Sequence, residues 1–105
     1  MTSGPTRQGE IWTVETVTRQ RYSVIVIDPD MLAESRPVIS AVRVIEAREV
    51  LTPLSLLSMT LPDGRVVVSY SLVTIARASY VELEATLTGE ALGAFRVLLG
   101  HRFDL

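Results

Sequence analysis

The sequence predicts a mainly β domain, a small antiparallel sheet or barrel with one C-terminal helix packed on it. Three observations lead to this fold class. Short β-branched segments alternate with turn residues, an Asp-Gly pair lies between two apolar runs, and the apolar period lengthens from two to between three and four after Thr88. A chain of 105 residues suits one domain. We expect that domain over residues 9–105, after a flexible leader over residues 1–8.

The first strand is predicted at residues 9–17. Side chains alternate along a strand, so Ile11 and Thr13 share one face with Glu15 and Val17, while Trp12, Val14 and Thr16 share the other. The connection that follows, residues 18–21, contains two arginines and neither Gly nor Pro. It is typical of a tight, exposed turn.

The second strand is predicted at residues 22–27, which are almost continuously apolar and β-branched, as in a strand covered on both faces. Asp28-Pro29-Asp30 ends it, because proline lacks a backbone donor and aspartate favours turns. The later elements are a helical turn at residues 31–36 and strands at residues 38–46, 50–60 and 66–70. Residues 71–76 either extend the last of these strands or begin another.

The hairpin and the helix have the clearest patterns. Asp63-Gly64 between two apolar runs predicts a hairpin turn. Thr88 is a candidate N-cap for the helix, Glu90 suits its first turn and Gly100 is a candidate stop. The apolar stripe of this helix consists of Leu92, Phe95, Val97, Leu98 and Leu99.

Composition excludes several classes of protein. The absence of cysteine excludes disulfides, thiolate metal sites and cysteine nucleophiles, and the single histidine, His101, excludes a metal site with several imidazoles. We expect no metal and no cofactor. A net charge of −2 argues against strong non-specific binding to nucleic acid. No apolar run approaches the roughly 20 residues that cross a bilayer, and no signal peptide is evident, so we expect a cytoplasmic protein without a membrane partner.

The remaining chemistry belongs to arginine with hydroxyl and carboxylate partners. RNA is cleaved without a metal when a base removes the 2′-hydroxyl proton, a cation stabilises the phosphorane and an acid protonates the leaving oxygen. Arg19, Arg21 and Arg43 are candidate phosphate contacts. The structural alternative is a solvated turn for Arg19 and Arg21, and for Arg43 a strand-face charge paired with Glu46 or Glu15.

The chain resembles the MazF/PemK toxin family. The resemblance begins with Gly9-Glu10-Ile11-Trp12 and continues with the Arg-containing turn, strand and acidic stop from Arg21 to Asp30. Pro37 to Val44, Val67 to Ala78 and Leu87 to Leu99 then follow in the family's order. The resemblance implies an SH3-like barrel of the CcdB/PemK type.

The resemblance also implies a function. Members of this family are typically toxins of type II toxin-antitoxin pairs, metal-independent endoribonucleases that cut single-stranded RNA as homodimers and are neutralised by a cognate antitoxin. Arg21 matches the catalytic arginine, and Arg19, Gln20 and Arg43 become candidate RNA-binding residues. Val44 or Ile45 stands where the family has Thr or Ser, so Glu46 is the candidate general base and the activity is expected to be divergent or weakened.

Two other classes of protein remain open on the same fold. A CcdB-type gyrase poison would use residues 100–105, although this tail ends in Asp-Leu where that family has Trp-Gly-Ile. A catalytically inactive interaction module would keep the dimer and lose the chemistry.

Overall fold

The computed structural model describes residues 4–49 and 58–103 of the chain. Within these ranges there are six strands, two α-helices and two short 3₁₀ turns. The elements are β1 (Glu10–Glu15), β2 (Arg21–Val26), α1 (Asp30–Ser35), β3 (Val38–Ile45), β4 (Ser58–Thr60), β5 (Val66–Ala76), β6 (Tyr80–Thr86) and α2 (Gly89–Phe103), with 3₁₀ turns at Ala47–Glu49 and Arg77–Ser79. None of the described helices is long and apolar enough to cross a membrane.

The described strands form one antiparallel sheet in the order β4-β5-β3-β2-β1-β6. Register shifts interrupt the β1–β6 ladder and the β3–β5 ladder at Val42/Arg43, and such irregularities increase local twist. The sheet curls so far that Arg65, in the β4–β5 turn at one edge, forms an ion pair with Glu84 of β6 at the other edge. The predicted fold class, a small antiparallel barrel with a C-terminal helix, is confirmed.

Each face of the sheet carries its own core, because alternate residues of β2 point to opposite sides. On one face Ile25 packs beneath α2, and on the other Val24 and Val26 pack beside α1. The core under α2 contains Ile11, Ile25, Val42, Val44, Leu61, Val67, Leu87, Phe95, Leu98 and Leu99. The second core contains Trp12, Val14, Val24, Val26, Ala33, Ile39, Ala41 and Tyr80.

Aromatic residues fix the second core. Trp12 and Tyr80 meet edge to face with ring centroids 6.1 Å apart, a favourable geometry for aromatic pairs. The Tyr80 hydroxyl donates to the carbonyl oxygen of Ile39, and the indole of Trp12 donates to Glu10. Burial raises the pKa of Tyr80, so this hydroxyl remains a donor throughout the physiological range.

The N-terminal segment differs from the expected flexible leader over the residues that the structure describes. The buried Glu10 carboxylate accepts hydrogen bonds from the backbone of Thr6 and Arg7, and the guanidinium of Arg77 donates to the carbonyl oxygen of Pro5 at 2.7 Å. Gly4 has a φ of 95°, and a Cβ there would lie 2.7 Å from Cγ of Arg77. Residues 4–8 are therefore bound to the domain. The partners of this segment could not be identified from the sequence, since one of them, Arg77, lies 72 residues from Pro5.

Most predicted elements occur close to their expected positions. The hairpin turn lies between β4 and β5, with Gly64 at a φ of 92°, and residues 71–76 extend β5. The strand expected at residues 50–60 is observed as β4, while residues 50–57 lie outside the described residues.

Three features differ from the sequence prediction. The strand β6 was missed, because its exposed Glu and Ala residues are weak strand formers. The stop at Gly100 was wrong, since α2 continues to Phe103 and a glycine weakens a helix by only about 1 kcal/mol without ending it. Val97, expected in the apolar stripe, is 62% exposed.

Candidate active site

A cleft of about 280 Å³ lies where β2 begins and β3 ends. The antiparallel register pairs Ser23 with Val44 and so brings the start of one strand beside the end of the other. The cleft is lined by Arg21, Tyr22, Ser23, Arg43, Val44, Ile45, Glu46 and Arg65. Of the five residues predicted for the site, it brings together Arg21, Arg43 and Glu46.

Arg21 opens β2 and lies directly opposite Glu15 of β1. Its Nη2 atom is 3.2 Å from Oε2 of Glu15, and its side chain is 57% exposed. Exposed ion pairs of this kind contribute at most about 1 kcal/mol. Arg21 is therefore held near the cleft by a contact that an incoming anion can replace.

Arg43 contacts an aromatic ring, whereas the structural alternative considered for it was an ion pair with Glu46 or Glu15. Its guanidinium lies 4.8 Å from the ring centroid of Tyr22, a cation–π distance, while Glu15 bonds Arg21. Stacking on an aromatic face occupies the plane of the guanidinium and leaves its N–H edges available to a ligand. Glu46 follows β3 and is exposed at the same cleft.

Arg19 and Gln20 lie in the β1–β2 turn and do not line the cleft. The turn is ordered by Thr16, whose backbone N–H donates to the Gln20 carbonyl oxygen and whose hydroxyl accepts from the Gln20 N–H. Arg19 adopts a φ of 65°, in the left-handed region. Both side chains are exposed beside the cleft, where they could meet only a ligand that extends beyond it.

A polar network behind the cleft was missed by the sequence analysis. The Glu84 carboxylate accepts from the hydroxyl of Ser23 at 2.6 Å and from the hydroxyl of Thr13 at 2.8 Å. Arg65 donates to Ser23 Oγ at 2.9 Å, to Glu84 Oε1 at 2.9 Å and, through Nε, to Asp63 Oδ2 at 2.9 Å. Glu84 is on the exposed edge strand, but its side chain is only 21% exposed because these partners surround it.

The network shifts the ionisation of its members. The hydrogen bond from the Arg65 guanidinium lowers the pKa of Asp63, and the same bond raises the pKa of Arg65. Burial by itself would raise the pKa of Glu84, but the hydrogen bonds from Ser23, Thr13 and Arg65 outweigh it and the pKa is lowered. All three groups are thus charged at neutral pH, and Glu84 acts only as an acceptor.

The sequence offered little to find this network. Asp63-Gly64 predicts only a turn, and the contact between Arg65 and Ser23 joins residues that are 42 positions apart. Thr13 and Ser23 are directly opposite each other in the β1–β2 ladder, a pairing that depends on the register of the two strands. Glu84 lies on the strand that was missed.

Charge around the cleft is nearly balanced. Arg21, Arg43 and Arg65 contribute the positive charges. The carboxylates that line the cleft or bond these arginines are Glu15, Glu46, Asp63 and Glu84. A phosphate group would therefore be recognised by directed hydrogen bonds and exchange of ion partners, and not by a broad positive field. Among the described residues, no cluster of three or more His, Cys, Asp or Glu side chains could hold a metal ion.

Comparison with solved structures shows the same fold in endoribonucleases. An endoribonuclease from Mycobacterial species aligns with a TM-score of 0.79 and 10% identity, over 100% of this chain and 97% of that one. An endoribonuclease in complex with its cognate antitoxin, also mycobacterial, aligns with a TM-score of 0.77 and 11% identity, over 94% and 95% of the two chains. MazF (Form-I) from Deinococcus radiodurans aligns with a TM-score of 0.72 and 16% identity, over 99% and 100%. No protein-family model and no curated protein sequence matches the chain.

Proposed function

We propose that this protein is the toxin of a type II toxin-antitoxin pair, a metal-independent endoribonuclease that cuts single-stranded RNA. The observation that carries the proposal is the cleft in which Arg21 and Arg43 lie with the carboxylate of Glu46. These groups meet two of the three needs of metal-free RNA cleavage, a cation for the phosphorane and a base for the 2′-hydroxyl, and water supplies the third, the acid for the leaving oxygen. The shared fold with endoribonucleases supports the same conclusion.

In the proposed reaction Glu46 removes the proton of the 2′-hydroxyl. The 2′-oxygen then bonds to phosphorus, the bond from phosphorus to the 5′-oxygen breaks, and that oxygen takes a proton from a water molecule, which recovers one from Glu46. Arg21 stabilises the added negative charge on the phosphorane, with Arg43 on the same phosphate or its neighbour. The products are a 2′,3′-cyclic phosphate and a 5′-hydroxyl. Because Val44 and Ile45 offer no hydroxyl at the end of β3, we expect slow cleavage.

RNA binding requires Arg21 to exchange Glu15 for a phosphate. The cost is small because an exposed ion pair is worth at most about 1 kcal/mol, while a phosphate accepts two parallel hydrogen bonds from a guanidinium. Arg19 and Gln20, in the adjoining turn, would contact the strand where it leaves the cleft. The near balance of charge predicts weak binding to nucleic acid that does not fit this geometry.

We further propose that the protein acts in the cytoplasm as a homodimer and is neutralised by a cognate antitoxin. One of the mycobacterial structures of this fold holds an endoribonuclease with its cognate antitoxin, and solved MazE-MazF complexes share the fold. Exposed apolar side chains such as Leu72, at 45%, support a contact between copies. Measurement of the protein's size in solution tests the homodimer. Inhibition by a small acidic protein encoded beside this gene tests the antitoxin.

The direct test incubates the purified protein with a long single-stranded RNA in EDTA and maps the cut ends. We expect discrete cuts that disappear in Arg21→Ala and Glu46→Gln. Arg36→Ala is the matched control, because Arg36 is exposed at the end of α1 and does not line the cleft. Intact RNA with all purified preparations would contradict the proposal.

The same preparations distinguish the other functions of this fold. Intact RNA together with inhibition of DNA gyrase would indicate a gyrase poison, whose contact residues 100–105 fall largely outside the described side chains. Intact RNA and active gyrase would leave an interaction module. No observation in the structure favours either over RNA cleavage.

A further inference from the structure

The hydroxyl of Ser23 is the one side-chain hydroxyl among the described residues that line the cleft, apart from the phenol of Tyr22. It lies between two charged groups of fixed position. Ser23 Oγ donates to Glu84 Oε2 at 2.6 Å and accepts from Arg65 Nη1 at 2.9 Å. Arg65 is itself held by Asp63 and Glu84, so the orientation of the hydroxyl is determined from both sides.

The hydrogen-bonding capacity that remains on Ser23 is limited. A serine hydroxyl has one proton and two lone pairs. Its proton forms the hydrogen bond to Glu84, which is ionised and can only accept hydrogen bonds. One of its lone pairs accepts the hydrogen bond from Arg65. What Ser23 offers to the cleft is a single acceptor lone pair. Its ligand must therefore donate a proton, which phosphodiester oxygens cannot do.

We propose that Ser23 recognises a ribose 2′-hydroxyl of the bound strand, accepting its hydrogen bond, and that Glu84 and Arg65 are positioning residues for this contact. The inference rests on the proposed function, since it assumes an RNA ligand. It adds a determinant of selectivity, because DNA has no proton to donate at this position. The attacking 2′-hydroxyl gives its only proton to Glu46, so the ribose at Ser23 belongs to a neighbouring nucleotide.

Thr13 provides an internal control. It lies directly opposite Ser23 on the same face of the sheet, and its hydroxyl donates to the same carboxylate oxygen at 2.8 Å. It does not line the cleft. Removing either hydroxyl takes one hydrogen bond from Glu84, but only the change at Ser23 removes an acceptor from the cleft.

The test measures binding of two nuclease-resistant oligonucleotides of the same all-pyrimidine sequence, one with a 2′-amino group and one with a 2′-fluoro group on every sugar. At a pH that keeps the amine uncharged, the first can donate at the 2′ position and the second cannot. We expect the wild-type protein to prefer the 2′-amino strand by roughly threefold to tenfold, the effect of one net hydrogen bond. Ser23→Ala should abolish the preference. Thr13→Val should retain the preference.

Glu84→Leu tests the positioning role with Ser23 still present. Without the carboxylate the serine proton is free and the hydroxyl can rotate, so the preference should fall towards unity. Urea unfolding of each variant shows that it is folded before binding is measured. The proposal is overturned if the wild type shows no preference or no binding, if Ser23→Ala keeps the preference, or if Thr13→Val loses it equally. Neither oligonucleotide reports cleavage, so the long-RNA assay judges the proposed function separately.

Discussion

Arg65 and Arg77 both donate three or more hydrogen bonds, but they hold different kinds of partner. Arg65 bonds side chains, namely Ser23, Asp63 and Glu84. Arg77 bonds backbone carbonyl oxygens, namely those of Pro5, Ala33 and Arg36. One arginine fixes the atoms that shape the cleft, and the other fastens the N-terminal segment and the end of α1 to the sheet.

The comparison shows that an arginine's partners, more than its exposure, indicate its role. The planar, forked guanidinium of Arg77 bonds three carbonyl oxygens at once, one in the N-terminal segment and two at the end of α1, so Arg77 stabilises the fold. Two carboxylates and a hydroxyl around Arg65 form a charged network beside a cleft, where it can influence a ligand. The two residues should therefore respond differently to the same substitution.

The largest expected effect on stability is at Arg77. Arg77→Ala should lower the free energy of unfolding by about 2 to 4 kcal/mol, because charge-assisted hydrogen bonds are worth roughly 1.5 to 3 kcal/mol each and are not additive. Urea unfolding measures the change. Arg77→Lys keeps the charge but loses the fork, and should recover less than half of the loss. A full recovery by lysine would mean that charge, and not geometry, holds the segment.

Arg65→Ala should show the opposite pattern. We expect RNA cleavage to slow on the order of tenfold, equivalent to about 1.4 kcal/mol in the barrier, because the cleft loses a guanidinium and Ser23 loses its partner. The free energy of unfolding should fall by less than about 1 kcal/mol, the usual range for partly exposed ion pairs. Cleavage rates and urea unfolding of the same preparation measure these two effects. A large loss of stability with unchanged cleavage would show that Arg65 stabilises the fold, as Arg77 does, and does not act on the ligand.

The network around Arg65 also predicts a pH dependence of stability. The pKa values of Asp63 and Glu84 are lowered in the folded protein, so their contribution is complete above the ordinary values, near 3.8 and 4.5, and is lost as the pH falls through the folded values. Stability should therefore decrease on acidification below about pH 5. For Glu84 the loss should be within about 1 kcal/mol, and that from the half-exposed Asp63 smaller still.

Glu84→Gln is the control for this dependence. The amide does not titrate, so urea unfolding midpoints of the variant should fall less steeply with decreasing pH than those of the wild type. If the midpoints of the variant and the wild type fall equally with pH, Glu84 does not contribute to the pH dependence of stability.

The smallest expected effect is in the β1–β2 turn. Arg19→Gly should leave stability unchanged or raise it by a few tenths of a kcal/mol, because glycine accepts the φ of 65° without the steric cost of a side chain. If Arg19 contacts RNA beyond the cleft, the same variant should weaken RNA binding by about threefold, and the salt dependence of binding should decrease. Thermal unfolding measures the stability, and titration with RNA at two salt concentrations measures the binding and its salt dependence. Unchanged binding would restrict the RNA contact to the cleft.

The fold could be predicted largely from local patterns. The β-branched run before Asp28, the Asp63-Gly64 turn and the apolar spacing around Phe95 each specify their element through short-range physics. The strand β6 could not be predicted in this way. Its apolar side chains Val81 and Leu83 are 44% and 46% exposed, and only the pairing with β1 makes this segment a strand. Likewise Gly100 weakens a helix locally, but α2 continues through it.

The candidate site was predictable only in part. Arg21, Arg43 and Glu46 were identified from the sequence with the help of a family resemblance, and the register of β2 and β3 brings them to one cleft. Ser23 was invisible as a site residue because it lies inside an apolar strand. Its importance arises from Arg65 and Glu84, which the sequence places 42 and 61 residues away.

The β class, the hairpin and the closing helix could be predicted from the sequence alone, and so could the arginines that are candidates for phosphate binding. These follow from alternation, turn chemistry and residue type, which act over a few neighbouring positions. The partner of each arginine depends on the folded chain: Arg21 pairs with Glu15, Arg43 with Tyr22 and Arg65 with Glu84. Side-chain hydrogen bonds form across curled sheets and between distant segments, so their geometry is set by the packing of the whole chain and not by any local pattern.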